Sequence, residues 1–331
     1  MLKIDTHAHW FPPEWVELVA KDGGRNGAVV ETDAKGTITK FQAPGINRRG
    51  FAKQYVEVPI RLKIMDVARV DMHALSLTSP MVYWATPEFG LRLSRAFNDA
   101  CSAAHLQYPK RFVGMAMVPM QAPELAVQEI ERAAKLPGIR GVYMATHVNG
   151  KNLDEPEFLP VYAKCEALGL PIFLHPVAPV GRERTRKYHL GNFIGNPTES
   201  AIAAASLVFG GVMDACPKLD VMLPHAGGTF PWLIGRMDHG TTVRKECEHM
   251  KQPPSAYLRR FHYDTITHSD PILMNLIRHV GADRVVMGSD CPADMSYTRP
   301  VDVVERLGDL SEAERGGILG GNAARLLKVQ G

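Results

Sequence analysis

The sequence has few cysteines and no pairing pattern among them. Its five, Cys101, Cys165, Cys216, Cys247 and Cys291, are odd in number and scattered, with no CxxC. That excludes a disulfide framework or a zinc ribbon and reads as reduced intracellular thiols. A run of about 18 apolar residues is also missing, as are a cationic leader and an apolar signal core, so a membrane span is excluded and the cytoplasm is the expected compartment. The net charge is only +3 in 331 residues, and no Lys/Arg run is interleaved with aromatics, so a nucleic-acid groove is not expected. Neither GxGxxG after a strand nor GxxxxGK[ST] occurs, which removes dinucleotides and nucleoside triphosphates. There is no internal repeat and no low-complexity tract.

What is present is alternation. Short apolar runs at 3–9, 72–79, 111–118, 139–146, 171–176, 220–225, 261–266 and 284–290 are bounded by turn residues, as suits parallel strands covered on both faces. Between them lie helical patterns such as "PELAVQEIERAAKLPG", where Pro137-Gly138 stops the helix. Eight alternations in a chain with 45% hydrophobic content predict an α/β fold, a distorted (β/α)8 barrel of the TIM type, as one domain over 1–331. Residues 22–57, rich in glycine and charge, break the alternation and predict a small insertion after strand 1, over the barrel mouth. So long an irregular stretch is either a linker or functional.

The chemistry lies at strand ends. In "KIDTHAHWFPP" the period of two puts His7 and His9 on one face, and Pro12-Pro13 ends pairing just beyond them. His175, His225 and Asp290 end the predicted strands five, six and eight, at the face where such barrels place their active sites. Three imidazoles and a carboxylate suit a borderline divalent ion such as Zn²⁺, with positions left open for substrate.

Together these motifs resemble the amidohydrolase superfamily: the HxH, "FLHP", "PHAGG" and "MGSD" in this order span nearly the whole chain. Strand four, "IRGVYMATH", carries no lysine where binuclear members have a bridging one, so the resemblance implies a single metal. "HWFPP", "NLDEPEFLPVYAKCEALGLPIFLHP", "PHAGGTFPWLIGRMD", "PPSAYLRRFHYDT" and "RVVMGSDCP" narrow it to the nonoxidative decarboxylases typified by 2-amino-3-carboxymuconate-6-semialdehyde decarboxylase. The resemblance implies metal binding by His7, His9, His175 and Asp290, acid–base work by His225 helped by Asp290, and substrate-carboxylate binding by Arg49 and Arg236. It further implies one Zn²⁺, or Mn²⁺, and a homodimer in which Arg236 reaches a neighbouring subunit's site. The implied activity is release of CO2 from a carboxymuconate semialdehyde or a hydroxybenzoate. The alternative is a hydrolase or hydratase acting on a lactone, amide or C–C bond with the same metal.

Several residues have plainer readings. Arg48 and Arg49 also read as a solvated pair, and Arg236 as the partner of a nearby carboxylate. His147 is a second-rank site candidate. The other histidines, His189 among them, read as surface or helix residues. Asp5 orients a ligand histidine or makes a turn. Trp10 and Phe11 wall the pocket or pack under the insertion, and the glycines of "GGTF" offer a weak anion-binding turn. Two departures from the family type bear on the substrate: Asn192 stands where a tryptophan is expected, and Cys291–Met295, with Asp294, replaces the aromatic "DYPF".

Overall fold

In the computed structural model, which describes residues 2–44, 46–48 and 50–330, the first strand, β1 (Ile4–His9), is buried along its whole length. Such burial on both faces requires a cover of helices outside and packed side chains inside. An insertion follows, in which β2 (Val29–Thr32), β3 (Ile38–Ala43) and β4 (Ile46–Arg48) form a three-stranded antiparallel sheet. The chain then alternates through β5 (Met72–Ser76), β6 (Phe112–Met117), β7 (Ile139–Ala145), β8 (Ile172–His175), β9 (Val221–Leu223), β10 (Phe261–Asp264) and β11 (Val285–Val286). These seven and β1 form one parallel sheet in chain order.

The sheet closes on itself through backbone bonds between its first and last segments. Thr6 N–H donates to Met287 O at 2.9 Å, Asp290 N–H to His7 O at 2.9 Å, and His9 N–H to Cys291 O at 2.7 Å. The predicted (β/α)8 barrel is therefore present, with strands shorter than their apolar runs. The last is shortest: only Val285 and Val286 lie in the ladder. Beyond them Asp290 adopts a left-handed φ of 64°, which turns its carboxylate out of strand register and toward β1.

Helices such as Pro87–Gln107, Pro123–Ala133 and Asp270–Val280 cover the barrel with amphipathic faces. Phe11 and Trp15 settle under the insertion with Phe51 and Tyr55 around them, ring centroids 4.6–5.7 Å apart. Trp10 lies beside them, its indole N–H donating to Val56 O at 2.9 Å. These aromatics are core that clamps the insertion onto the barrel. All five cysteines are unpaired, and no helix among the described residues is long and apolar enough to cross a membrane.

Candidate metal centre and cavity

The alternation in β1 brings His7 and His9 to one side with ring centroids 4.9 Å apart, and His175 at the end of β8 lies 5.2 and 4.7 Å from them. One ligand atom from each of these three and from Asp290 all lie within 4.8 Å of one another.

The ring orientations are fixed from behind. His7 Nδ1 donates to Asp264 Oδ2 at 2.8 Å, and His175 Nδ1 to Pro176 O at 2.9 Å. Ser76 Oγ donates to Ala8 O at 3.2 Å, so its lone pair accepts from His9 Nδ1 at 3.1 Å. With every Nδ1 committed as a donor, each Nε2 presents a bare lone pair to the centre, the tautomer a metal ligand needs.

Two observations show that a cation fits there. His7 Nε2 is buried without a hydrogen-bond partner. His9 Nε2 faces Asp290 Oδ1 at 2.8 Å, lone pair against lone pair, which a shared cation relieves. Burial lowers the His9 pKa to about 4 and that of His175 well below the ordinary value. Burial opposes charge on Asp290 as well, but the positive charge that His7, His9 and His225 take on when protonated holds its carboxyl well below the usual range. Neutral His9 and His175 imidazoles beside an ionised carboxylate, with His7 able to give up its proton to an arriving cation, suit a divalent-metal site.

His225 follows β9 in a turn of four left-handed residues, His225, Ala226, Gly227 and Gly228, with φ of 52°, 57°, 76° and 59°. Asp264, at the end of β10, holds this turn by accepting from the backbone N–H groups of His225 at 2.9 Å and Ala226 at 2.8 Å. The same carboxylate orients His7, so one buried side chain sets both the metal cluster and the His225 turn. His225 Nε2 lies 4.0 Å from Asp290 Oδ2. Its Nδ1 is buried and unpartnered, and burial lowers its pKa, keeping the ring neutral.

Above the cluster is a cavity of about 550 Å³ bordered by His9, His175, His225 and Asp290, with Arg48, Tyr55 and Asn192 among its other walls. A second lobe of about 360 Å³ shares His225 and Asp290 and is lined by Trp232, Ile266 and Ile272.

The amidohydrolase family pattern matches residues 4–329. The chain belongs to this family. Among its relatives is the 2-amino-3-carboxymuconate-6-semialdehyde decarboxylase of Dictyostelium discoideum, 34% identical over 330 residues, 98% of this chain and 91% of the relative. The γ-resorcylate decarboxylase of a Polaromonas species is 30% identical, over 81% of this chain and 86% of its own. Among solved structures, 5-carboxyvanillate decarboxylase from Sphingomonas paucimobilis superposes with a TM-score of 0.86 at 27% identity, covering 99% of both chains. A Polaromonas dihydroxybenzoic acid decarboxylase with bound manganese and 2-nitroresorcinol gives 0.80 at 26%, covering 99% of this chain and 97% of that one.

In this amidohydrolase the four residues expected from sequence to bind metal lie together, and His225 stands beside them. The arginines fall differently. Arg49 lies outside the described residues. Its neighbour Arg48 borders the cavity: it donates to Ser79 O at 2.8 Å and Gly50 O at 3.2 Å, and its guanidinium carbon lies 4.7–5.3 Å from the ring centroids of Phe11, Phe51 and Tyr55. Its signal was the alternation within β4, where Ile46 and Arg48 share a face and both border the cavity. Arg236 is exposed on the helix Phe230–Val243 and does not line its own chain's cavity.

Sequence reasoning assigned no role to Asp264, although a carboxylate ending strand seven follows the same strand-end rule as the ligands. It also passed over Arg182, Arg186 and His189, which border the cavity from an irregular loop. His147 borders a neighbouring cavity. Asp5 is buried and accepts from the backbone of His7 and Ser289, each at 3.0 Å, and from the Ser289 hydroxyl. It therefore fixes the strand that carries the ligands and bonds to no ligand imidazole. Asp294 is exposed outside the cavity lining.

Proposed function

We propose that the protein is a metal-dependent nonoxidative decarboxylase, a carboxy-lyase acting on a small unsaturated or aromatic carboxylic acid. The observation that carries this reading is the joint arrangement of four buried ligand groups and a neutral His225 beside them, under a cavity with a cationic wall. Similarity to named decarboxylases of carboxymuconate semialdehyde and γ-resorcylate supports it.

His7, His9, His175 and Asp290 hold one divalent ion, Zn²⁺ by the donor chemistry or Mn²⁺ as in the Polaromonas relative. When bound, the ion supplies Lewis acidity that polarises a substrate oxygen and offsets charge on the carboxylate. Arg48 binds and orients the substrate's acidic end through the two-pronged donation a guanidinium offers. We assign Arg49 the same duty, with Arg236 serving a partner's site.

His225, neutral at rest, accepts a proton from an acidic substrate hydroxyl or from water and delivers it to the carbon bearing the carboxylate. That C–C bond then breaks, its electron pair returns to the conjugated system, and CO2 leaves. Solvent protonates the remaining oxyanion, and no redox partner is needed.

Trp232 and Leu233 are exposed on Arg236's helix, at 46% and 42%. An apolar face around an arginine that has no ion-pair partner among the described residues supports a homodimer. The unpaired thiols support a cytoplasmic enzyme.

The test is to incubate metal-loaded protein with γ-resorcylate, 5-carboxyvanillate and 2-amino-3-carboxymuconate-6-semialdehyde in isotopically labelled water. Stoichiometric CO2 without label in a new C–O bond is expected. Label entering the organic product without CO2 would instead establish a hydrolase or hydratase.

A further inference from the structure

The loop after β8, residues 177–192, crosses the cavity mouth as a strap. It is tied down at its start: Ala178 O lies 3.3 Å from His147 Nε2, and Val180 N–H donates to buried Glu199 at 2.7 Å. Beyond that it closes into a hoop. Arg184 N–H and Thr185 N–H bond to Gly181 O at 2.9 and 3.1 Å, and Gly191 N–H to Thr185 O at 3.1 Å. Tyr188 and His189 are consecutive non-glycine residues with φ of 57° and 60°, a conformation that L side chains adopt at a cost. The hoop so held sets Arg182, Arg186 and His189 against the cavity that His9, His175 and Asp290 floor.

The charge arrangement is one-sided. Three guanidiniums, those of Arg48, Arg182 and Arg186, border one cavity whose only bordering carboxylate among the described residues is that of Asp290, and that group is committed to the metal cluster. Among the described residues neither strap arginine lies within ion-pairing distance of a carboxylate. Like charges gathered without a counter-ion repel one another, and the arrangement becomes favourable when an anion arrives. The reacting carboxylate is already served by the metal cluster and Arg48. The strap arginines are therefore surplus to a monoanionic substrate.

We propose that Arg182 and Arg186 are specificity-determining residues that bind a second carboxylate, at the end of the substrate away from the metal cluster, so that the preferred substrates are dicarboxylic acids. The inference rests on the decarboxylase reading for the identity of the reacting end.

The experiment measures binding of inert probes to manganese-loaded protein by calorimetry: benzoate, isophthalate and terephthalate, with wild type, R182A/R186A and R182K/R186K. In wild type at least one dicarboxylate should bind about tenfold or more tightly than benzoate, the scale of one or two charge-assisted bonds in a partly solvated mouth. The alanine variant should bring that ratio to within about twofold of unity, and the lysine variant should keep part of it, because a charge without the fork still attracts. Both side chains are exposed on a loop, so the fold should survive their removal.

Equal affinities in wild type, or a dicarboxylate preference that persists in R182A/R186A, would overturn the proposal. A parallel CO2 assay separates the two readings. No CO2 from any acid, with the dicarboxylate preference intact, overturns the reaction and supports the subsite. CO2 from hydroxybenzoates without any dicarboxylate preference overturns the subsite alone.

Discussion

At the scale of single residues the site depends on which lone pair faces which way. His225, to which the proposed mechanism assigns proton transfer, is no part of the four-residue set, so H225A should retain stoichiometric metal while turnover falls by about 10² or more; elemental analysis and CO2 release measure the two separately. Asp264 accepts from His7 Nδ1 and from the His225 and Ala226 backbone. Replacing it with asparagine turns one acceptor oxygen into a donor facing donors. D264N should weaken metal affinity about 10- to 100-fold, the usual effect of losing a carboxylate behind a ligand histidine, as a competitive chelator titration would show. Arg48 sits among three aromatic rings, with burial lowering its pKa, and its shape matters as much as its charge. R48M should raise KM for the reacting acid by about tenfold or more, with a smaller effect on kcat if its role is binding.

At the scale of elements, the turn after β9 shows how a short segment positions the His225 imidazole. A Cβ on Gly228 would stand 1.8 Å from Pro197 O, and its φ of +59° is already one that L side chains rarely adopt. G228A therefore cannot be accommodated without moving His225 or the start of the helix Asn196–Phe209. It should cost more than about 1 kcal/mol of stability and lower kcat, as denaturant titration and steady-state kinetics would reveal. The weak anion-binding reading of "GGTF" thus gives way to a geometric one, in which the glycines let the chain reverse tightly beneath the cavity. The insertion is an element of the same kind. Its sheet was announced by a break in alternation, but that β4 carries Arg48 to the mouth followed from packing on Phe11 and Phe51.

At the scale of the whole molecule, a barrel that buries so many imidazoles couples its stability to pH. His9, His73, His175 and His225 are all lowered, in each case chiefly by burial. Unfolded, each takes up a proton near pH 6.5; folded, each does so only at lower pH. The unfolded state then binds more protons below about 6.5, so the stability they contribute is fully present above that pH and is lost as pH falls. The slope is about 1.4 kcal/mol per pH unit for each proton difference. His7 works the other way: burial opposes its charge, but its bond to Asp264 and the charges of Asp290 and Asp264 raise its pKa. Asp5, pushed up to about 6 by burial, also takes its proton more readily when folded. Four against two should leave metal-free protein less stable at pH 5 than at pH 7 by urea denaturation. A divalent ion at about 100 times its Kd should add about 2.7 kcal/mol at pH 7 and progressively less in acid, where protons compete for the ligands.

The sequence by itself determined the eight strands, their burial on both faces, and the convergence of His7 with His9, because these follow from periods of two and 3.6 that each segment carries locally. It also placed His175, His225 and Asp290 at strand ends, and in a parallel barrel strand ends meet. Tertiary structure alone decided that Arg48 borders the cavity, that Asp264 serves both His7 and the His225 turn, that the strap's arginines reach the mouth and that Arg236 lies outside its own chain's cavity lining. Those placements are set by bonds between residues far apart in the chain, such as Ala178 with His147 and Val180 with Glu199. A loop without a repeating period carries no local signal of where its side chains will face.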